Sequence, residues 1–144
     1  MLDEGMSLAP LLRDGASVYT RTLPREAASA ALARRVATAV LTVWSMPEEL
    51  TADAGLILNE LVSNAAEHAT RGVSIRVTIS RVSASRMRLA VIDMDPHHLP
   101  ALRAAGPEDE NGRGLRMVAG LADRWDVDRL SWGKRVWAEV VRLP

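Results

Sequence analysis

Residues 56–68 read LILNELVSNAAEH, and how this stretch is read decides the rest of the chain. Leu58, Leu61, Val62, Ala65 and Ala69 recur at helical spacing and gather on one side, which predicts a helix with a core-facing stripe. Glu60 and Asn64 stand one turn apart on the other side, and His68 continues their edge. A solvated face is the simplest reading of such a pair. Yet Leu56 and Ile57 fall beside Glu60 and Asn64, where a solvated face would offer charges. The other reading is a partly covered cleft, in which a carboxylate and an amide need partners.

Upstream, Ser17 to Leu23 (SVYTRTL) is β-branched and aromatic enough for a strand, closed by Pro24. Pro24-Arg25-Glu26 opens an Ala-rich helix to about Trp44, with Ala28, Leu32, Val36, Ala39, Val40 and Val43 at the helical period. Ser45 to Glu49 is a break that leads, through Pro47 and two acids, into the helix that holds the opening stretch. Residues 1–16 read as a flexible extension before a single domain over residues 17–144.

Downstream of Arg71-Gly72 the period changes from helical to alternating. Val73 to Val82 is a strand with Val73, Ile75, Val77 and Ile79 on one face, and Met87 to Asp95 (MRLAVIDMD) is a second, antiparallel to it. Residues 94–111 form a long, Pro-containing, partly acidic loop of the kind that serves as a lid. Gly112 to Ala122 is a short helix, and Arg124 to Leu130 with Lys134 to Leu143 makes a closing hairpin around Ser131-Trp132-Gly133. The order β-α-α-β-β-loop-α-β-β predicts an α+β two-layer sandwich: a mixed, mostly antiparallel sheet covered on one face by helices.

Composition narrows what such a domain can do. At 144 residues and 48% apolar, the chain buries a proper core. Formal net charge is zero, so it lacks the electrostatic footprint of a nucleic-acid binder. Of its 18 basic residues, Lys134 is the single Lys, a skew that reads as base composition of the gene rather than phosphate recognition. With no Cys, disulfides, thiolate metal sites and Cys nucleophiles are excluded. No apolar run is long enough to span a bilayer and no basic leader precedes one, so a cytoplasmic, membrane-free protein is expected.

Three pieces carry the chemistry. Glu60 can act as a general base, and Asn64 offers a hard oxygen for Mg²⁺, which takes one or two protein oxygens and fills its other positions from phosphate and water. Asp93, at a strand end before the long loop, is either a turn-initiating Asp or an acceptor for an adenine amino group. Glu110-Asn111-Gly112-Arg113-Gly114-Leu115 is either an Asn-Gly turn at a helix start or a phosphate cradle of free backbone N–H groups at the positive end of the helix dipole. No GxxxxGK[ST] loop exists in the chain. Lys134, just before the last strand, is either within reach of a phosphate or, more simply, a solvated turn lysine, and Trp125, Trp132 and Trp137 read as packing for the closing hairpin. Arg13 to Arg25 and Arg34-Arg35 read as solvated charges, and the adjacent His97 and His98 lack a third spaced metal ligand.

In that order the three pieces resemble the GHKL-type ATPase and kinase domains (the Bergerat fold), and among them the small anti-sigma-factor serine/threonine kinases. LNELVSNAAEHA looks like the family's N box, VIDMDP like its first glycine box, and NGRGLRMVAGLADRWDV like its second. The closing GKRVWAEV is similar to the last strand of short actinobacterial ATP-binding regulators, and the resemblance covers roughly Tyr19 to Val141. It implies ATP and Mg²⁺ as cofactors, with Glu60 as the catalytic base and Asn64 as the metal ligand. Asp93, Asn111, Gly112, Arg113, Gly114 and Leu115 would bind the nucleotide. It also implies an ATP-dependent protein kinase with a sigma factor and a STAS-type anti-sigma-factor antagonist as partners, and it allows a homodimer. One departure bears on this. Asp93-Met94-Asp95-Pro96-His97 has no glycine where the family usually reads DxGxG, and Asp95 adds negative charge there. The alternative is therefore a kinase-inactive module that keeps the fold, has weakened or lost ATP binding, and works by protein–protein contact.

Overall fold

The computed structural model describes residues 17–97 and 110–143, with residues 110–115 described in backbone only. The N-terminal extension at 1–16 and most of the expected lid lie outside these residues. Eight elements follow in the expected order: β1 (Val18–Pro24), α1 (Ala28–Val43), α2 (Glu48–His68), β2 (Ser74–Ser83), β3 (Arg86–Asp93), α3 (Glu110–Leu121), β4 (Arg124–Arg129) and β5 (Lys134–Val141). The strands form one sheet in the order β1-β2-β3-β5-β4. All four pairings are antiparallel, so the sheet has no parallel member among the described residues.

The first helix ends through its backbone. Ser45 takes a left-handed φ of 56°. There its N–H donates to Thr42 O, while Met46 N–H reaches back to Leu41 O. That pair of bonds satisfies carbonyls which the helix end would leave free, although a serine does so at a cost that glycine avoids. Pro47, whose ψ is extended, then stops any continuation, and Glu48 and Glu49 complement the positive N-terminus of α2.

α1 and α2 cover one face of the sheet. Leu41 from α1, Ile57, Leu58 and Val62 from α2, and Ile79 and Leu89 from the sheet are all fully buried. Each such side chain contributes about 1.5–3 kcal/mol by leaving water. Two expected core positions lie elsewhere. Val73 is 85% exposed, because β2 begins one residue later and the Val73 carbonyl instead accepts the Arg25 backbone N–H. In α1 the stripe is rotated: Ser29, Ala30, Ala33 and Ala37 join Val36 and Val40 in the core, leaving Ala28 exposed.

Two arginines fix the helices that form the site. Arg25 donates from Nε to Gly72 O and from Nη1 to Ala69 O, both at 2.7 Å, and so ties the start of α1 to the end of α2. It is not the solvated charge expected. Arg142 donates to Asp53 on α2 at 3.0 Å, to Asp123 at 3.3 Å and to the Leu121 carbonyl at 2.7 Å. It thereby fixes the end of α3 against α2.

Candidate functional site

Glu60 and Asn64 are half-buried on α2, with fully buried Ile57 two turns before Asn64 on the same line. Glu67, nearer the helix end, is exposed. The pair thus occupies a covered edge rather than a solvated face. Among the described residues the Glu60 carboxylate has no ion pair or hydrogen bond, and the buried Asn64 Nδ2 has no partner. Buried amides are normally satisfied, so an orphan of this kind marks a position waiting for a ligand or water. His68 Nε2 is also buried without a hydrogen bond and lies 3.9 Å from Glu67 Oε2, beyond bonding distance.

α3 packs on α2 and begins at Glu110, two residues earlier than the sequence indicates. Asn111, Gly112, Arg113 and Gly114 are therefore inside its first turns rather than before them. The free N–H groups at this point are those of the helix's own N-terminal turn. The side chains of Asn111, Arg113 and Leu115 lie outside the described residues, as do His98 and the acidic Glu108 and Asp109.

At the far end of α2 the chain departs from expectation. Lys134 is 3% exposed, not a solvated turn residue. Its register partner across β3 and β5 is Asp93, itself 2% exposed. Lys134 Nζ lies 2.9 Å from each Asp93 carboxylate oxygen and donates to Asp95 O at 2.8 Å, which engages all three ammonium protons. Asp93 Oδ1 also accepts the Asp95 backbone N–H at 2.8 Å. Asp95 is fully buried and carries no charge out towards a ligand. Its Oδ2 accepts Thr70 N–H at 2.8 Å and the Thr70 hydroxyl at 2.9 Å, and its Oδ1 accepts His97 N–H at 3.0 Å. The glycine-free segment is thus stitched to the residues just past α2.

Gly133 makes that closure possible, since a Cβ there would stand 2.1 Å from the Asp93 carbonyl oxygen. Gly72, at φ +80°, likewise leaves room for the Met94 side chain. Of the hairpin tryptophans, Trp125 packs against the core, Trp132 is 55% exposed in the turn, and Trp137 lies on the open sheet face with the Arg88 guanidinium 4.0 Å over its ring.

The two ends of the site answer differently to a bound Mg²⁺–nucleotide. Asn64 supplies an amide oxygen and Glu60 a carboxylate that no other described residue engages; Mg²⁺ asks the protein for little more. No cluster of three His, Asp or Glu side chains is placed to hold a metal among the described residues. At the base end, the Asp93 carboxylate is buried and already holds Lys134 on both oxygens and the Asp95 N–H on Oδ1.

A family profile described as a histidine kinase-like ATPase domain matches residues 23–140. The chain belongs to that family. An uncharacterized protein of Streptomyces coelicolor is 32% identical over 73 residues, half of this chain and 70% of that protein. Among solved structures, the RsbU and RsbW domains of Rv1364c from Mycobacterium tuberculosis superpose at a TM-score of 0.67 and 20% identity. That alignment takes in 88% of this chain but 32% of the other, so the chain spans about a third of the solved protein. The likeness shows the fold, which is the GHKL type. A histidine kinase domain from the blue-light activated kinase of Erythrobacter litoralis overlaps at a TM-score of 0.49 and 23% identity, covering 83% of this chain and 61% of that one. No helix among the described residues is long and apolar enough to cross a membrane.

Proposed function

We propose that this chain is an ATP-binding regulatory protein of the anti-sigma-factor serine/threonine kinase type. It acts in the cytoplasm, holds a sigma factor, and phosphorylates a Ser or Thr on a STAS-type antagonist. The observation that carries this reading is the pair Glu60 and Asn64, half-buried one turn apart, with neither side chain bonded to another of the described residues. Asn64 Oδ1 would hold Mg²⁺, and the N-terminal turn of α3, through Asn111 to Leu115, would hold the phosphates. Bound nucleotide and metal supply the transferable phosphoryl group and the neutralisation of its charge. The protein's own share is to position the acceptor hydroxyl and to take its proton on Glu60.

One observation favours a second reading. Asp93, the residue that the resemblance assigns to adenine, is closed off by Lys134. A kinase-inactive module that regulates its partner by contact alone would tolerate this. Incubation with radiolabelled ATP, Mg²⁺ and the antagonist protein separates the two. The kinase reading expects label on the antagonist with wild type and none with Glu60→Ala or Asn64→Ala. Label that survives both substitutions removes the assigned roles, and wild type that transfers none leaves the contact-only reading.

A further inference from the structure

We propose that β1 is a docking edge for a second copy of this chain. The two β1 strands pair antiparallel about a two-fold axis at Thr20 and join both sheets into one. Among the described residues β1 and β4 are the edges of the sheet, and they differ in kind. An edge strand offers unpaired N–H and C=O groups to any other strand, and charge, brevity, proline or a bulge normally blunts it. β4 is guarded in this way, since Arg124, Asp126, Asp128 and Arg129 are charged in a strand of 6 residues. β1 runs 7 residues, pairs with β2 along its whole length without a register shift, and has Arg21 as its single charge. Its proline comes last, at Pro24.

The bonds at its two ends show which groups face outward. Ser17 O accepts the Arg81 N–H at 2.7 Å, and the Arg25 N–H donates to Val73 O at 2.8 Å. Both residues are turned towards β2, and by the alternation of an antiparallel ladder so are Tyr19, Arg21 and Leu23. Val18, Thr20 and Thr22 therefore aim their N–H and C=O groups at the free edge. All three are β-branched, uncharged and exposed.

Arg21 selects the register. Its side chain lies on the helix side of the sheet with Tyr19 and Leu23, and its Nη1 is buried without a hydrogen-bond partner. A two-fold axis at Arg21 would set two such guanidinium groups opposite each other. An axis at Thr20 places Arg21 opposite Tyr19 of the second copy, Val18 opposite Thr22, and Thr20 opposite itself. About six backbone hydrogen bonds then join the strands. Larger shifts lose pairs to the start of the strand or to Pro24, which has no N–H. The Thr20 hydroxyl, 3.3 Å from that of Thr78, becomes part of a threonine row that crosses from one copy to the other. Glu60 and Asn64 take no part, so the proposal does not depend on the nucleotide-site reading.

Gel filtration with light scattering reads the mass of the full chain. Wild type should show twice the 15.7 kDa of one chain. Thr20→Pro removes the central outward N–H, which β2 does not use, so the sheet tolerates it while the dimer weakens by about ten-fold or more. Thr20→Lys keeps every backbone group and sets like charges on the axis; it should weaken the dimer equally, whereas Asp126→Lys on β4 should leave the mass unchanged. Because the chain has no cysteine, one introduced thiol reports the register. Mild oxidation should link Thr20→Cys into a covalent dimer, its Cα atoms standing about 5.5 Å apart, and leave Arg21→Cys unlinked. Monomeric wild type up to about 100 μM overturns the proposal. So does a dimer that persists in folded Thr20→Lys, one that Asp126→Lys dissociates instead, or one that links through position 21 and not through 20.

Discussion

Lys134→Met keeps an apolar stem of similar length and removes the charge, leaving the Asp93 carboxylate 2% exposed with the Asp95 N–H as its remaining partner. At 2.9 Å the lost attraction is about 6 kcal/mol for an effective dielectric of about 20. Part of that is offset because the ammonium no longer has to be stripped of water, so a net loss of about 3–5 kcal/mol is expected. Asp93→Asn should cost a similar amount by stranding the ammonium. The double variant removes both charges and should be much less damaged than the two losses summed, with a coupling of about 2 kcal/mol or more. Urea unfolding followed by tryptophan fluorescence reads this out. With a typical slope of about 1–3 kcal/mol per molar, the Lys134→Met midpoint falls by about 2 M while the slope stays fixed. Single variants within about 0.5 M of wild type, or strictly additive losses, would refute the buried ion pair as a structural element.

Three further outcomes follow from individual residues. Asn64→Leu should raise stability by about 1 kcal/mol, since it replaces a buried amide nitrogen that has no partner, while removing any Mg²⁺-dependent response; a destabilised variant would mean that the amide is satisfied in solution. Ser45→Gly should also stabilise, by about 0.5–1 kcal/mol in thermal or urea unfolding, because φ 56° is strained for serine and open to glycine. No gain there would show that the helix end relaxes in solution. The hydrogen bonds from Arg135 hold the Asp128 carboxyl below its ordinary range. The folded protein therefore releases that proton more readily than the unfolded chain. The resulting stabilisation is whole above the ordinary carboxylate value of about 3.9 and drains as pH falls through the folded value. Asp128→Asn should leave stability at pH 7 nearly unchanged, since the pair is solvent-exposed, and flatten its decline below about pH 4. An acid limb identical to wild type would contradict the pairing.

The order of elements was legible because period marks them: Ile75, Val77 and Ile79 alternate, while Leu58, Leu61, Val62 and Ala65 recur as a helix. Ends were less so. Val73 continues the alternation of β2, yet pairing starts at Ser74, opposite Pro24 where β1 ends, and the Val73 carbonyl accepts the N–H of Arg25 just past that strand. Lys134 was misplaced for a related reason. As a residue next to a Gly turn it looks solvated, but it stands in phase with Val136, Ala138 and Val140, which all face the core. Its partner was harder to see, since β3 and β5 are neighbours in the sheet but not in the chain. Asp95 looked like stray charge beside a ligand for the same reason: Thr70, which consumes it, lies 25 positions away in sequence. Glu60 and Asn64 were visible because their spacing is local to one helix.

Glu60 and Asn64 form the metal and phosphate end of the proposed nucleotide site. Calorimetric titration of ATP into wild type and Asn64→Ala, each with and without Mg²⁺, tests it most directly. Binding that requires Mg²⁺ and disappears in folded Asn64→Ala is the expected result. No heat up to millimolar ATP, or equal binding by the two proteins, would contradict it.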